Sequence, residues 1–186
     1  MGTILDRIAA RTRENCAQAR RLRSTAEVAE RARALAEEER TFAFPFERAL
    51  RASGMSFICE CKKASPSKGV IVEDFDPVSI ARAYEEAGAA AVSVLTEPFS
   101  FEGNTQYLAD VSSAVDIPAL RKDFVVDELM IYVAKVLGAS AVLLICAILD
   151  NEDIEVITSE LSILLVSNHI FDSGFTCLEI IEYIIH

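Results

Sequence analysis

Lysine is scarce in this sequence. Five occur in 186 residues, against thirteen arginines, and acids outnumber both so that the formal net charge is −11. Such a chain has no basic face to spare for a nucleic-acid backbone. A small anionic ligand is not excluded, because one local cluster of lysines can bind one phosphate or carboxylate. Histidine is scarcer still, with two residues, which argues against a zinc or other metal site. The five cysteines are an odd number and scattered. Cys59 and Cys61 are close, but strand alternation puts them on the same side. They read as buried, reduced thiols of a cytosolic protein rather than as metal ligands or a disulfide. No apolar run approaches the roughly 20 residues that cross a bilayer. The opening stretch, MGTILDRIAART, is charged and amphipathic without a signal-peptide core. The expectation is a cytoplasmic protein with neither membrane nor nucleic acid as partner. What is plentiful is apolar side chain, 52% of the residues, enough to build one domain with a core.

The chain reads as three regions. Residues 1–52 read as a helical extension holding eleven of the thirteen arginines, which suit a solvated helical face. Ser24 and Glu27 have capping-box spacing, and Pro45 opens a short helix, PFERALRAS, stopped by Gly54. Residues 53–150 alternate short apolar runs (SFICECK, AAVSVLT, IPALRKDF, SAVLLICAIL) with amphipathic helical stretches (DPVSIARAYEEAG, NTQYLADVSSAV, VDELMIYVAKVLG). Asp76 and Pro77 mark a helix start, and Gly88 and Gly138 mark stops. EAGAAAVSVL and VLGASAVLLI share Gly-Ala-x-Ala-Val 50 positions apart, a separation that suits two βα units. Apolar strands alternating with helices predict a parallel sheet covered by helices. Residues 151–186 contain no Lys or Arg, seven acids and both histidines, with LSILLVSNHIF read as a strand and CLEIIEYIIH as a helix.

Three of the five lysines fall in one stretch, CECKKASPSKG, residues 59–69. On its strand Ile58, Glu60 and Lys62 share a face, and Phe57, Cys59 and Cys61 the other. A carboxylate and an ammonium on a face that normally buries apolar side chains are costly unless they pair or face a polar cavity. On this strand alone a structural ion pair explains them as well as a site does. In IPALRKDF, however, Lys122 also stands at the C-terminal end of a strand, while Arg121 points the other way. Two βα units thus each bring a lysine to the carboxyl edge of the sheet, where parallel α/β folds bind ligands. Two ammonium groups around one carboxylate suit an anionic substrate, and an ammonium can serve as general acid. In the following SPSKG loop, Pro66 stiffens the chain, Gly69 frees it, and Ser65 and Ser67 offer hydroxyls and amides.

With ECKKASPSKG, SVLTEPFSFEG, PALRKDF and GASAVLLICAIL in place, the chain resembles the indole-3-glycerol phosphate synthase family over residues 1–150. The resemblance implies an α/β fold of the TIM (βα)8 type behind an N-terminal helical extension. It implies a carbon–carbon carboxy-lyase of tryptophan biosynthesis that needs neither cofactor nor metal. The substrate would be 1-(2-carboxyphenylamino)-1-deoxyribulose 5-phosphate, a phosphorylated anthranilate derivative, closed and decarboxylated to indole-3-glycerol phosphate. Lys122 matches the general acid that protonates the substrate ketone. Lys62 matches the lysine that meets its anionic groups, and Glu60 the carboxylate that orients this lysine. Ser65, Pro66 and Ser67 match the mobile loop after the first strand. Phe101, Phe124 and Leu143 match the apolar wall around the anthranilate ring.

After about Asp150 the family pattern stops. The run ILLVSNHI lacks the catalytic glutamate expected of a fifth strand, and the later phosphate-binding loops have no counterpart. The expectation is therefore an incomplete barrel of about four βα units with a divergent tail over 151–186. That tail reads as a frameshifted or truncated reading frame; the alternative is a short variant whose tail pairs with another chain. Open sheet edges are expected to favour self-association, and turnover by these residues alone is expected to be very low or nil. The competing reading is an inactive half-barrel that at most binds an anthranilate- or phosphate-bearing anion. An unrelated half-barrel phosphate-sugar isomerase is disfavoured by the Glu-x-Lys and Lys-Asp-Phe pair.

Overall fold

Caps and glycines divide the chain into elements much where the sequence places them. The computed structural model describes residues 2–39 and 44–164. In chain order these form α1 (Ile4–Leu22), α2 (Thr25–Glu38), α3 (Pro45–Leu50), β1 (Ile58–Cys61), β2 (Ala64–Ser65), β3 (Gly69–Val70), α4 (Pro77–Glu86), β4 (Ala91–Leu95), α5 (Thr105–Ser112), β5 (Ala119–Lys122), α6 (Glu128–Val136), β6 (Ala141–Val142) and α7 (Asn151–Leu164). Asp76 caps α4 by accepting from the Val78 and Ser79 amides, with Pro77 at the first helical position, where its missing N–H is no loss. Gly88 and Gly138 stop their helices at φ 87° and 84°, a left-handed turn that side chains with a Cβ disfavour. Asn104 caps α5 through the Gln106 amide.

The chain divides into two compact units. The sheet unit holds residues 44–123 and 137–142. Its sheet is parallel throughout, in the order β1-β4-β5-β6. β4 is buried along its whole length, which explains its near-continuous apolar run. Helices α4 and α5 pack on each other and on β1, β4 and β5, and Ala81, Leu108 and Val111 are fully buried. Each buried Leu or Val contributes about 1.5–3 kcal/mol.

The helical unit comprises, of the described residues, 2–39, 124–136 and 143–164. In it α2 packs on α6 and α7. The arginine-rich helices are less free than a solvated face. Arg20 pairs with Asp127 and Glu128 at 2.8 and 3.2 Å, Arg13 with Asp153 at 3.2 Å, and Arg33 with Glu160 at 3.2 Å. Lys135 is buried against Glu39 at 2.6 Å. The exposed arginine pairs contribute about 0–1 kcal/mol each.

Several expectations are corrected. Ser24 stands at the N-cap of α2, but its hydroxyl makes no capping bond; spacing permits the box, and the rotamer decides it. The working capping box is at α1, where Thr3 and Asp6 exchange bonds of 2.6 and 3.2 Å. The helix opened by Pro45 ends at Leu50, before the expected PFERALRAS is complete. SAVLLICAIL is strand only at Ala141–Val142, then turns through a 3-10 segment at Cys146–Ile148. An apolar run without periodicity does not fix its own conformation. SPSKG is no open loop: Ala64 pairs with Val70 and Ser65 with Gly69 in a small antiparallel hairpin. Gly69, at φ 67°, lets the chain double back. Residues 161–164 close α7 rather than opening a strand; at the start of that helix Asp150 accepts from the Asp153 amide at 2.8 Å. The remainder of LSILLVSNHIF, and CLEIIEYIIH, lie outside the described residues. Cys16 and Cys61 are buried, as the thiol reading requires, but Cys146 is exposed and Cys59 half-buried.

Candidate active site

Glu60 leaves β1 on the face that alternation assigns to it, and the register of the sheet sets its neighbours. It lies opposite Ser93 on β4, which in turn lies opposite Leu120 on β5. Two residues toward the carboxyl edge, Leu95 pairs with Lys122. Lys62 stands just past the end of β1. The structure brings all three charged groups together: Lys62 Nζ is 2.5 Å from Glu60 Oε1, and Lys122 Nζ is 3.2 Å from Glu60 Oε2. One carboxylate thus holds two ammonium groups, and the cluster keeps one unit of positive charge for an anion. Burial pushes the Glu60 carboxyl up. The Lys62 hydrogen bond and the charges of Lys122 and Lys62 more than offset it, so Glu60 sits below the usual glutamate range. The Tyr84 hydroxyl, from α4, donates to the Glu60 backbone carbonyl at 3.3 Å.

The residues flanking Lys122 face the other way and lock its strand end. Arg121 donates to Asp123 Oδ2 at 2.9 Å and to Thr96 Oγ1 at 3.2 Å. The Thr96 hydroxyl donates to the same Asp123 oxygen at 2.5 Å, and all three side chains are buried. A buried, mutually satisfied ion pair is rigid, because removing either partner strands the other charge. Lys122 therefore projects from a fixed backbone.

Two further elements shape the rim of the sheet unit. The β2–β3 hairpin presents Pro66 and Ser67 to solvent, while the Ser65 hydroxyl accepts from the Lys68 amide at 3.3 Å and lies 3.5 Å from that of Ser67. Both hydroxyls are thus partly engaged within the turn. The loop after β4 carries half-buried Phe101, and Glu102 at φ 50°. Lys63 joins hairpin and loop through a 2.8 Å ion pair with Glu102, and this hydrogen bond holds its ammonium above the usual lysine range. Phe124 and Leu143 are buried side chains of the helical unit.

Sequence reasoning missed Glu97. Its side chain is only 2% exposed, and its carboxylate accepts from three successive backbone amides, Phe99, Ser100 and Phe101, at 3.0, 2.6 and 3.1 Å. The clamp fixes the loop that holds Phe101 and Glu102. Gly103 closes it so tightly that a Cβ there would lie 2.7 Å from the carbonyl oxygens of Leu95 and Glu97. The available signal was an acid four residues before a Phe-Glu-Gly turn, too generic to read alone. Among the described residues, no group of three or more His, Cys, Asp or Glu is arranged to hold a metal ion, and no helix is long and apolar enough to cross a membrane.

The model of the family described as indole-3-glycerol phosphate synthase matches residues 5–163, running past Asp150. Similar proteins that carry that name include the following three. The protein from Endomicrobium trichonymphae is 50% identical over 149 residues, 80% of this chain and 57% of its own. That from Desulfotalea psychrophila is 50% identical over 153 residues, 81% of this chain and 56% of its own. That from Ruminiclostridium cellulolyticum is 55% identical over 112 residues, 60% of this chain and 43% of its own. The chain spans about half the length of the curated relatives it matches.

Proposed function

The chain belongs to the indole-3-glycerol phosphate synthase family, and on that premise we propose that its lysine–glutamate cluster serves the carboxy-lyase step of tryptophan biosynthesis. The substrate is 1-(2-carboxyphenylamino)-1-deoxyribulose 5-phosphate. The single observation that carries this reading is Glu60 held between Lys62 and Lys122. The substrate needs a cation for its negative groups and an acid aimed at its ketone, and two ammonium groups on one anchor supply both.

In this reading Lys62 meets the substrate's anionic groups. Lys122 gives a proton to the ketone oxygen as the ring carbon bearing the carboxylate bonds to the ketone carbon. The carbon–carboxylate bond then breaks, carbon dioxide leaves, its electron pair restores the ring, and loss of water completes the indole. Glu60 holds both lysines where the charge develops, so little reorganisation remains for the reaction itself. Phe101 grips the anthranilate ring, and Ser65, Pro66 and Ser67 belong to the loop that covers it. The parallel sheet is the first part of a (βα)8 barrel, whose further strands would meet the edges of β1 and β6, from this chain or from another copy of it. A phosphorylated substrate suits a cytoplasmic location.

Fluorescence detection of indole-3-glycerol phosphate tests the proposal. Slow product formation that Lys122→Ala abolishes is expected. Binding of the substrate without product would establish the competing reading, an anion-binding half-barrel. Turnover unaffected by Lys122→Ala would remove Lys122 from its role.

A further inference from the structure

Ser93 is the one polar side chain on a strand otherwise made of Ala, Val and Leu. It is 4% exposed, and among the described residues its hydroxyl has no hydrogen-bond partner. An unsatisfied buried hydroxyl is a net cost to the fold, which an alanine in the same place would avoid. Its surroundings suggest when that hydroxyl is used. Residues paired across a parallel ladder send their side chains to the same face, so Ser93 shares the face of Glu60. β4 separates β1 from β5, so the bridge from Glu60 to Lys122 has to cross β4, next to Ser93. The ammonium groups there are donors only. The acceptor within the cluster for the Ser93 proton is therefore the Glu60 carboxylate, whose two oxygens are now held by Lys62 and Lys122.

We propose that Ser93 is a positioning residue for Glu60: its hydroxyl takes over the carboxylate oxygen that Lys122 releases when that lysine turns to the substrate. The role in turnover rests on the lyase reading above, whereas the hydrogen bond itself does not. Without Ser93 the departure of Lys122 would leave half of a partly buried carboxylate unpaired, and Glu60 would swing toward Lys62 or compete with the substrate for Lys122. With Ser93 the carboxylate stays in place, and Lys62 stays aimed. The other groups facing Glu60 are Lys62 from its own strand, Lys122 from β5 and the Tyr84 hydroxyl on its backbone carbonyl.

Removing the Lys122 ammonium by Lys122→Met frees the oxygen without any ligand, so the test needs no substrate. In the full chain labelled with 13C-carboxyl glutamate, the Glu60 resonance is assigned by its loss in Glu60→Gln and then followed through an acid titration. Ser93→Ala is expected to leave the midpoint unchanged in the otherwise native chain. It is expected to raise the midpoint in the Lys122→Met background, where Ser93→Thr, which keeps the hydroxyl, does not. An equal effect of Ser93→Ala in both backgrounds, or none in either, overturns the inference. Lys122→Leu replaces Lys122→Met if the latter does not fold, since only the ammonium must go. Failure of the native chain to bind substrate would strike the lyase reading and leave this result intact.

Discussion

Replacing Glu97 by glutamine changes one atom, yet the geometry predicts a large effect. Oε2 accepts from Ser100 and Phe101, and Oε1 from Phe99. A glutamine oxygen can keep one of these sets. Its NH2 group must then point at a backbone N–H, donor against donor, in a part-buried site. Hydrogen bonds to a charged acceptor contribute about 1.5–3 kcal/mol each, and a stranded buried donor costs about 1–3 kcal/mol. Losing one bond outright and weakening two gives about 2–4 kcal/mol, a large part of the roughly 5–15 kcal/mol that holds a typical domain together. The local readout is amide hydrogen exchange. The Phe99, Ser100 and Phe101 amides should lose protection by about tenfold or more, since about 1.4 kcal/mol corresponds to a factor of ten. Urea unfolding of the same variant gives the global figure. Glu102→Gln is the control: it removes only the exposed pair with Lys63, and should cost under about 1 kcal/mol. If Glu97→Gln shifts stability no more than Glu102→Gln and those three amides keep their protection, the clamp does not hold the loop.

The remaining predictions concern charge and thiols. Glu60 lies below its ordinary range in the folded chain. Its contribution to stability is therefore complete above the unfolded-state value and is lost as pH falls through the folded one. Glu60→Gln should lower stability at neutral pH and flatten the acid-side decline in urea unfolding; an unchanged acid slope would refute the assignment. Burial pushes the Cys61 thiol up to about 12, and it donates to the Pro77 carbonyl at 3.8 Å. Iodoacetamide under native conditions, mapped by mass spectrometry, should therefore modify exposed Cys146 well before Cys61. Equal rates would show that β1 opens readily.

The parts of the site legible in the sequence are those set by local rules. Strand alternation was enough to put Glu60 and Lys62 on one face and to turn Arg121 away from Lys122. Glycine at Gly88 and Gly138, and Asp76 before Pro77, marked helix ends because capping depends on a few neighbouring residues. The pairing of Lys62 with Lys122 through a single carboxylate was an extrapolation from two separate βα units, and only the β1-β4-β5 register makes it a contact. Where local rules compete, sequence misled. SAVLLICAIL could be strand or turn, and the hairpin at Ala64–Val70 hid inside what read as a loop.

Periodicity, caps and the placing of lysines at strand ends were thus determined by the order of residues alone, since each depends on atoms a few positions apart. The tertiary structure decided which residues far apart in the chain meet. It set Ser93 beside Glu60, joined Lys63 to Glu102, and buried Glu97, Arg121 and Asp123. Those outcomes follow from strand order and burial, which set the partners and the desolvation of each group, and no short window of sequence contains either.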